Sequence, residues 1–257
     1  MTPKYIPVLA GYRERMSEPL RVLAVSAHPD DIEFGASGSI ARWVDEGAEV
    51  TYCIVTDGST GTNDPELAGE KLAEIRREES LKAAAVVGVE EVTFLGYRDG
   101  YVEHTLGLRR DIARVFRRAR PHRLLAMDPV PIPGGWFINH PDHRAVGQAT
   151  LDICVTAGTT PGHFPELLDE GLEPWRGLRE VYVMGPGERD FAVDISSTLD
   201  RKIESLRAHV SQVGEWDIAT VVREWTAQNG KPHGLAHAEL FSVVPTAEAR
   251  RESRTQR

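Results

Sequence analysis

Four short apolar runs mark the first half of the chain: RVLAVSA (21–27), EVTYCIVT (49–56), EVTFLGY (91–97) and HRLLAMDP (122–129), each bounded by polar or turn residues. Runs of this length, rich in Val, Leu and Ile, predict β-strands. Between them, about 35–46, 67–87 and 107–119 carry apolar residues at helical spacing and stop near Gly47, Gly88 and Pro121. Strand and helix alternating in this way predict an α/β fold with a Rossmann-like, doubly wound, mainly parallel sheet. The Gly- and Pro-rich stretch 158–178 reads as a long loop. Beyond it, REVYVM (179–184), DFAVDI (190–195) and AELFSVV (238–244) read as strands, with helices at about 197–211 and 215–228. These are C-terminal α/β additions to the same sheet. No internal repeat and no second domain stand out, so residues 1–257 are expected to form one domain. An N-terminal extension (about 1–19) and a loose, charged C-terminal tail (about 246–257) complete it.

Two polar clusters break this pattern. AHPDD (27–31) follows the first strand run and places His28, Asp30 and Asp31 together. NHPDHRAV (139–146) places His140, Asp142 and His143 just before a helical run. In doubly wound sheets ligands bind beyond the carboxyl ends of the strands, which is where AHPDD falls. Two histidines and a carboxylate are the donors of a catalytic zinc site, with the fourth position left for water. Adjacent carboxylates repel each other and are costly to bury, so a cation that neutralises one of them explains the pair. The structural alternative is a carboxylate capping the helix that follows.

Composition narrows the partners. The chain has 257 residues, 41% of them hydrophobic, enough for a sizeable core. No apolar run reaches the roughly 18 residues of a membrane span. The start, MTPKYIPVLAGYRERMSEP, carries charges where a signal peptide needs an apolar stretch. Only two cysteines occur, Cys53 and Cys154, so no disulfide framework and no cysteine zinc site is expected. A cytoplasmic location follows. The net charge of −9 disfavours a nucleic-acid surface and leaves a small-molecule ligand, with a homo-oligomer left open.

AHPDD paired with HPDH about 110 residues later resembles the LmbE-like or PIG-L family of zinc-dependent N-acetylglucosaminyl deacetylases. The resemblance extends through the helix and strand at 70–99 to about residue 155 and weakens beyond. It implies that His28, Asp31 and His143 bind one Zn²⁺ per chain, another divalent ion being the alternative. It further implies that Asp30 is the general base on the zinc-bound water, that His140 stabilises the oxyanion, and that Asp142 orients a neighbouring imidazole. The expected reaction is hydrolysis of the N-acetyl group of an N-acetylglucosamine-containing small molecule or glycoconjugate, releasing acetate and a free amine. Alternatives are an amidase acting on another amide-linked sugar conjugate and a two-metal phosphoesterase. A nucleotide-binding module is disfavoured, since AHPDDIEFGASGS contains neither G-x-G-x-x-G nor a P-loop.

Three further positions are candidates for substrate contact. Arg76 and Glu79 fall on the apolar face of the helix that contains Leu72, Ile75, Ala83, Val86 and Val87. Buried charges need partners, so they either pair with each other or meet a ligand. The resemblance assigns the arginine to sugar hydroxyls. Asp99, in GYRDG, matches another family substrate position, or is a turn aspartate before Gly100. Trp136, with Phe137 after Gly134 and Gly135, offers an apolar flap on which a sugar ring could stack, or simple loop anchoring. Mycothiol-type deacetylases have a tyrosine where this chain has Ile138, so no tyrosine assists the oxyanion from that position. His209, on a predicted helix, and His233 and His237 read mostly as surface residues.

Overall fold

The computed structural model describes residues 18–187 and 189–246; the expected extension and tail lie outside these, apart from their inner ends. Strands β1 (Arg21–Ser26), β2 (Glu49–Thr56), β3 (Glu91–Tyr97), β4 (Arg123–Met127), β5 (Glu180–Met184), β6 (Phe191–Asp194) and β7 (Ala238–Pro245) form one sheet in the order β3-β2-β1-β4-β5-β7-β6. β1 to β5 pair in parallel, while β7 runs antiparallel to both β5 and β6. The sheet is therefore doubly wound and mainly parallel. β1 and β4 are almost wholly buried because helices cover both faces, which is why they read as continuous apolar runs. β1 pairs with β2 on one side and β4 on the other, so the strand order reverses there and a crevice opens past their carboxyl ends.

The helices are α1 (Asp31–Gly35), α2 (Ser37–Asp45), α3 (Glu70–Val86), α4 (Leu106–Ala119), α5 (Pro141–Val155), α6 (Glu166–Asp169), α7 (Leu199–Arg207), α8 (Val210–Val213) and α9 (Ile218–Gly230). Two predicted helices are each interrupted. The first begins earlier, at Asp31, and breaks at Ala36, whose φ −150° and ψ −2° are not helical. The amides freed by that break are taken by Glu239 of β7: Gly38 N–H donates at 3.0 Å and Ser39 N–H at 2.7 Å. The helix expected over 197–211 ends at Arg207 and resumes at Val210, with His209 at the junction. The 158–178 stretch is mostly loop and contains the one-turn α6. Arg117 of α4 ties this loop down by donating to the carbonyls of Ala157, Thr160, His163 and Leu172. No helix among the described residues is long and apolar enough to cross a membrane.

Candidate metal and catalytic centre

The two motifs meet where the strand order predicts. His28 and Asp31 follow β1 directly, and Asp99 follows β3. His140, Asp142 and His143 occupy the first turn of α5, whose N-cap is His140. α5 lies so close to β4 that a Cβ on Gly147 would come within 2.5 Å of the Met127 carbonyl oxygen, so glycine is required there. The loop leading into α5 is pinned by buried Asn139, which donates to the carbonyls of Asp128 (2.7 Å) and Val130 (3.1 Å).

Three donor groups converge. His28 Nδ1 lies 3.1 Å from His143 Nε2, Asp31 Oδ1 lies 3.1 Å from His143 Nε2, and Asp31 Oδ2 lies 3.4 Å from His28 Nδ1. Two imidazole nitrogens facing one carboxylate at such distances share a single point. The opposite nitrogen of His28, Nε2, meets Asp99 Oδ1 at 3.2 Å and Asp142 Oδ2 at 3.3 Å. Both acids are themselves fixed by backbone amides: Asp142 accepts from Gly100 (2.7 Å) and Val102 (3.1 Å), and Asp99 accepts from Thr60 (3.0 Å). A carboxylate holding the far nitrogen of a histidine is the usual outer shell of a metal ligand. By distance alone, His28 with Asp99 and Asp142, or His28 with His140 and His143, could also hold an ion, their donor atoms lying within 4.8 Å of one another. Asp142 spends both oxygens on backbone amides and Asp99 one, so they suit orientation of His28 better than ligation.

The electrostatics ask for a positive charge at this point. Burial alone would lower the His28 pKa, but hydrogen bonds to Asp142 and Asp31 raise it to about 12. Burial likewise opposes the charge on Asp31, yet His143 and His28 hold it well below the usual carboxylate range. A cluster that would otherwise retain protons so tenaciously fits a divalent cation in their place, and two imidazoles with one carboxylate form a zinc-type set.

Asp30 stands apart from that convergence. Its φ of 99° is rare for any residue other than glycine, and its side chain makes no capping bond to α1. Burial pushes its pKa up, Arg76 draws it down and Asp31 pushes it up again, to about 7. His140 is exposed at the rim, its ring edge-on to His28 with centroids 4.6 Å apart, and burial and the His28 charge lower its pKa.

The remaining candidates separate. Arg76 is 3% exposed and pairs with Asp30 at 3.3 Å, not with Glu79. Glu79 instead accepts from the amide (2.8 Å) and hydroxyl (2.6 Å) of Ser211. The Asp142 carboxylate meets the imidazole of His28, 114 residues away, while its backbone amide donates to Nδ1 of its motif neighbour His140 at 3.3 Å. Trp136 is 72% exposed and lines a cavity of about 660 Å³ with Asp31, His143, Phe34, Trp225 and Leu240. The expectation of a surface location fails for His209, which is fully buried with Nε2 3.2 Å from Glu33 Oε2. Also unforeseen was Lys202, wholly buried, whose ammonium donates to Glu239 and to the carbonyls of Glu33 and Phe34. Its signal was present: Lys202 interrupts an apolar stripe of Leu199, Ile203 and Leu206, as Arg76 interrupts its own.

The chain is similar to known proteins. The chain is 33% identical over 236 residues to a diacetylchitobiose deacetylase of Thermococcus kodakarensis, covering 90% of this chain and 86% of that protein. It is 29% identical over 292 residues to a 1D-myo-inositol 2-acetamido-2-deoxy-alpha-D-glucopyranoside deacetylase of Kineococcus radiotolerans, covering 90% and 79%. The solved N,N'-diacetylchitobiose deacetylase of Pyrococcus horikoshii superposes with a TM-score of 0.79 at 30% identity, over 87% of this chain and 83% of that one. The model of the PIG-L family, GlcNAc-PI de-N-acetylase, matches residues 23–154, the span that contains both motifs and every strand end around the cluster. The chain belongs to the PIG-L family.

Proposed function

We propose that this protein is a zinc-dependent N-deacetylase that hydrolyses the acetamide of an N-acetylglucosamine-containing small molecule or glycoconjugate. The observation that carries the reading is the convergence of His28 Nδ1, His143 Nε2 and Asp31 on one point, with a second acid, Asp30, next in the chain and outside that convergence. His28, Asp31 and His143 hold the ion, and Asp142 and Asp99 fix the ring of His28. A divalent ion there supplies Lewis acidity, polarising the amide carbonyl and making water more acidic. Asp30 takes the proton that the attacking water loses and returns it to the departing nitrogen, so that the C–N bond breaks to acetate and a free amine. A carboxyl near neutrality suits that exchange. His140, at the open rim, donates to the oxygen on which charge develops. Trp136 and Trp225 wall the cavity on the substrate side and suit the apolar face of a pyranose. We assign the enzyme to the cytoplasm because Cys53 and Cys154 are both free.

Acetate release from a panel of N-acetylglucosamine conjugates, with zinc content measured alongside, tests this reading. Wild-type protein releases acetate only with metal bound. Asp30→Asn keeps its zinc and loses turnover by roughly 10² or more, the scale of a positioned general base. Asp31→Asn loses zinc, because a neutral amide replaces an anionic ligand. The reverse pattern would exchange the two assignments.

A further inference from the structure

The cavity beside the cluster is larger than the acetamide of one sugar requires. It encloses about 660 Å³ and runs from Asp31 and His143 past the buried Met127 and Met184 to the exposed rings of Trp136 and Trp225. A space of that size holds a drug-sized ligand. On the deacetylase reading the acyl group is two carbons long, so most of the space falls to what lies on the sugar's side of the amide bond.

The polar groups of the wall decide what that is. Asp31 and His143 belong to the proposed ligand set. Glu239 accepts from the amides of Gly38 and Ser39 and from Lys202. Arg189 donates to the Asp128 carboxylate and, at 3.1 Å, to the Pro186 carbonyl. Asn229 of α9 is the one polar side chain of the wall outside these pairings. A second pyranose would bring several hydroxyls against Phe34, Met127, Met184 and Leu240, and a hydroxyl taken from water without a partner is unfavourable. An alkyl or aryl group gives up no hydrogen bond there and gains from leaving water. Arg76 and Asp99, the candidates for the sugar's own hydroxyls, lie outside this lining, so the site sorts the two ends of a substrate by polarity.

Much of the wall comes from beyond residue 154, where the match to the family model ends: Met184 of β5, Pro186 just after it, Trp225 and Asn229 of α9, and Leu240 of β7. The C-terminal additions that complete the sheet therefore also shape the pocket, separately from the two motifs.

We propose that this cavity selects the substrate by taking an alkyl or aryl aglycone, so that the preferred substrate is an N-acetylglucosaminide of an apolar alcohol or phenol rather than of a second sugar. The inference rests on the deacetylase reading and narrows it.

The experiment measures kcat and KM on N-acetylglucosaminides with methyl, butyl, hexyl and phenyl aglycones, in both anomers, against N,N'-diacetylchitobiose. KM is expected to fall along the alkyl series by up to about fourfold per buried methylene with kcat little changed, since a group away from the reacting atoms binds ground and transition states alike. The hexyl glycoside should exceed diacetylchitobiose in kcat/KM by roughly tenfold or more. Leu240→Asn, which sets an amide into the apolar wall, should cut the hexyl-to-methyl ratio severalfold. Trp225→Ala, at a more exposed position, carries the same comparison if Leu240→Asn does not fold. A flat alkyl series, or diacetylchitobiose ahead of the hexyl glycoside, would overturn the inference. So would a gain on lengthening the acyl group, read on the methyl glycoside of N-hexanoylglucosamine, with none along the alkyl glycosides, because the cavity would then hold the acyl chain. If none of these compounds is hydrolysed, the deacetylase reading falls separately. Calorimetric binding of the hexyl and methyl glycosides to metal-free protein then decides the aglycone question, and equal Kd values overturn the inference.

Discussion

At the scale of single residues, His28 shows how one side chain joins two jobs. Its Nδ1 faces Asp31 and His143 while its Nε2 is held by Asp99 and Asp142, so the ring can neither flip nor rotate without losing a partner. His122, at the other end of the sheet, is held neutral. It is 3% exposed and its Nδ1 accepts the amide of Arg21 at 3.1 Å, which a protonated ring could not do. Burial and the Arg21 charge lower its pKa from 6.5 to about 4. The folded state thus binds this proton less well than the unfolded state. The sign follows: the contribution is fully present above about pH 6.5 and is lost as pH falls towards 4, at most about 3 kcal/mol. Thermal unfolding across that window should show the loss, and His122→Asn, whose amide oxygen accepts without titrating, should flatten it. An unchanged pH profile in the variant would assign the acid sensitivity elsewhere.

At the scale of elements, the strands were legible and the joints between helices were not. β1 and β4 read directly because burial on both faces demands unbroken apolar runs. The breaks at Ala36 and His209 left no trace, because neither position carries Gly or Pro; each is imposed by a partner distant in sequence. The first exists where Glu239 of β7 takes the amides of Gly38 and Ser39. That carboxylate is neutralised by Lys202 of α7 at 2.7 Å, and the same ammonium donates to the last carbonyls of α1 at 2.7 and 2.8 Å. One buried lysine therefore joins α1, α2, α7 and β7. Lys202→Met should destabilise the protein by about 3–5 kcal/mol, the usual cost of stranding a buried charge. Adding Glu239→Gln should recover part of that loss in denaturant unfolding, since the stranded charge is gone. A double variant less stable than Lys202→Met would show that Glu239 acts through its bonds to α2 alone.

At the scale of the whole molecule, the crevice where the strand order reverses gathers acids from four separate segments of the chain, Asp30 and Asp31, Asp57, Asp99 and Asp142, in a chain already carrying a net −9. The motifs made the candidate ligands of this site legible in the sequence because His and Asp at strand ends are conspicuous against apolar runs. Its outer shell was hidden, since which acid serves which imidazole is decided by a fold that brings Asp142 to His28 across 114 residues. Such a concentration of carboxylates is a load on the fold unless a cation offsets it, so metal binding should register as global stability. A ligand that binds only the folded state at about a thousand times its Kd adds about 4 kcal/mol. For a chain of this size each kcal/mol corresponds to about 2–4 °C, so zinc in excess should raise Tm by on the order of 10 °C. His143→Ala, missing one of the three proposed ligands, should lose most of that rise, whereas Asp30→Asn, which leaves all three in place, should keep it. A zinc-induced shift that survives intact in His143→Ala would remove His143 from the ligand set, whatever the variant's activity.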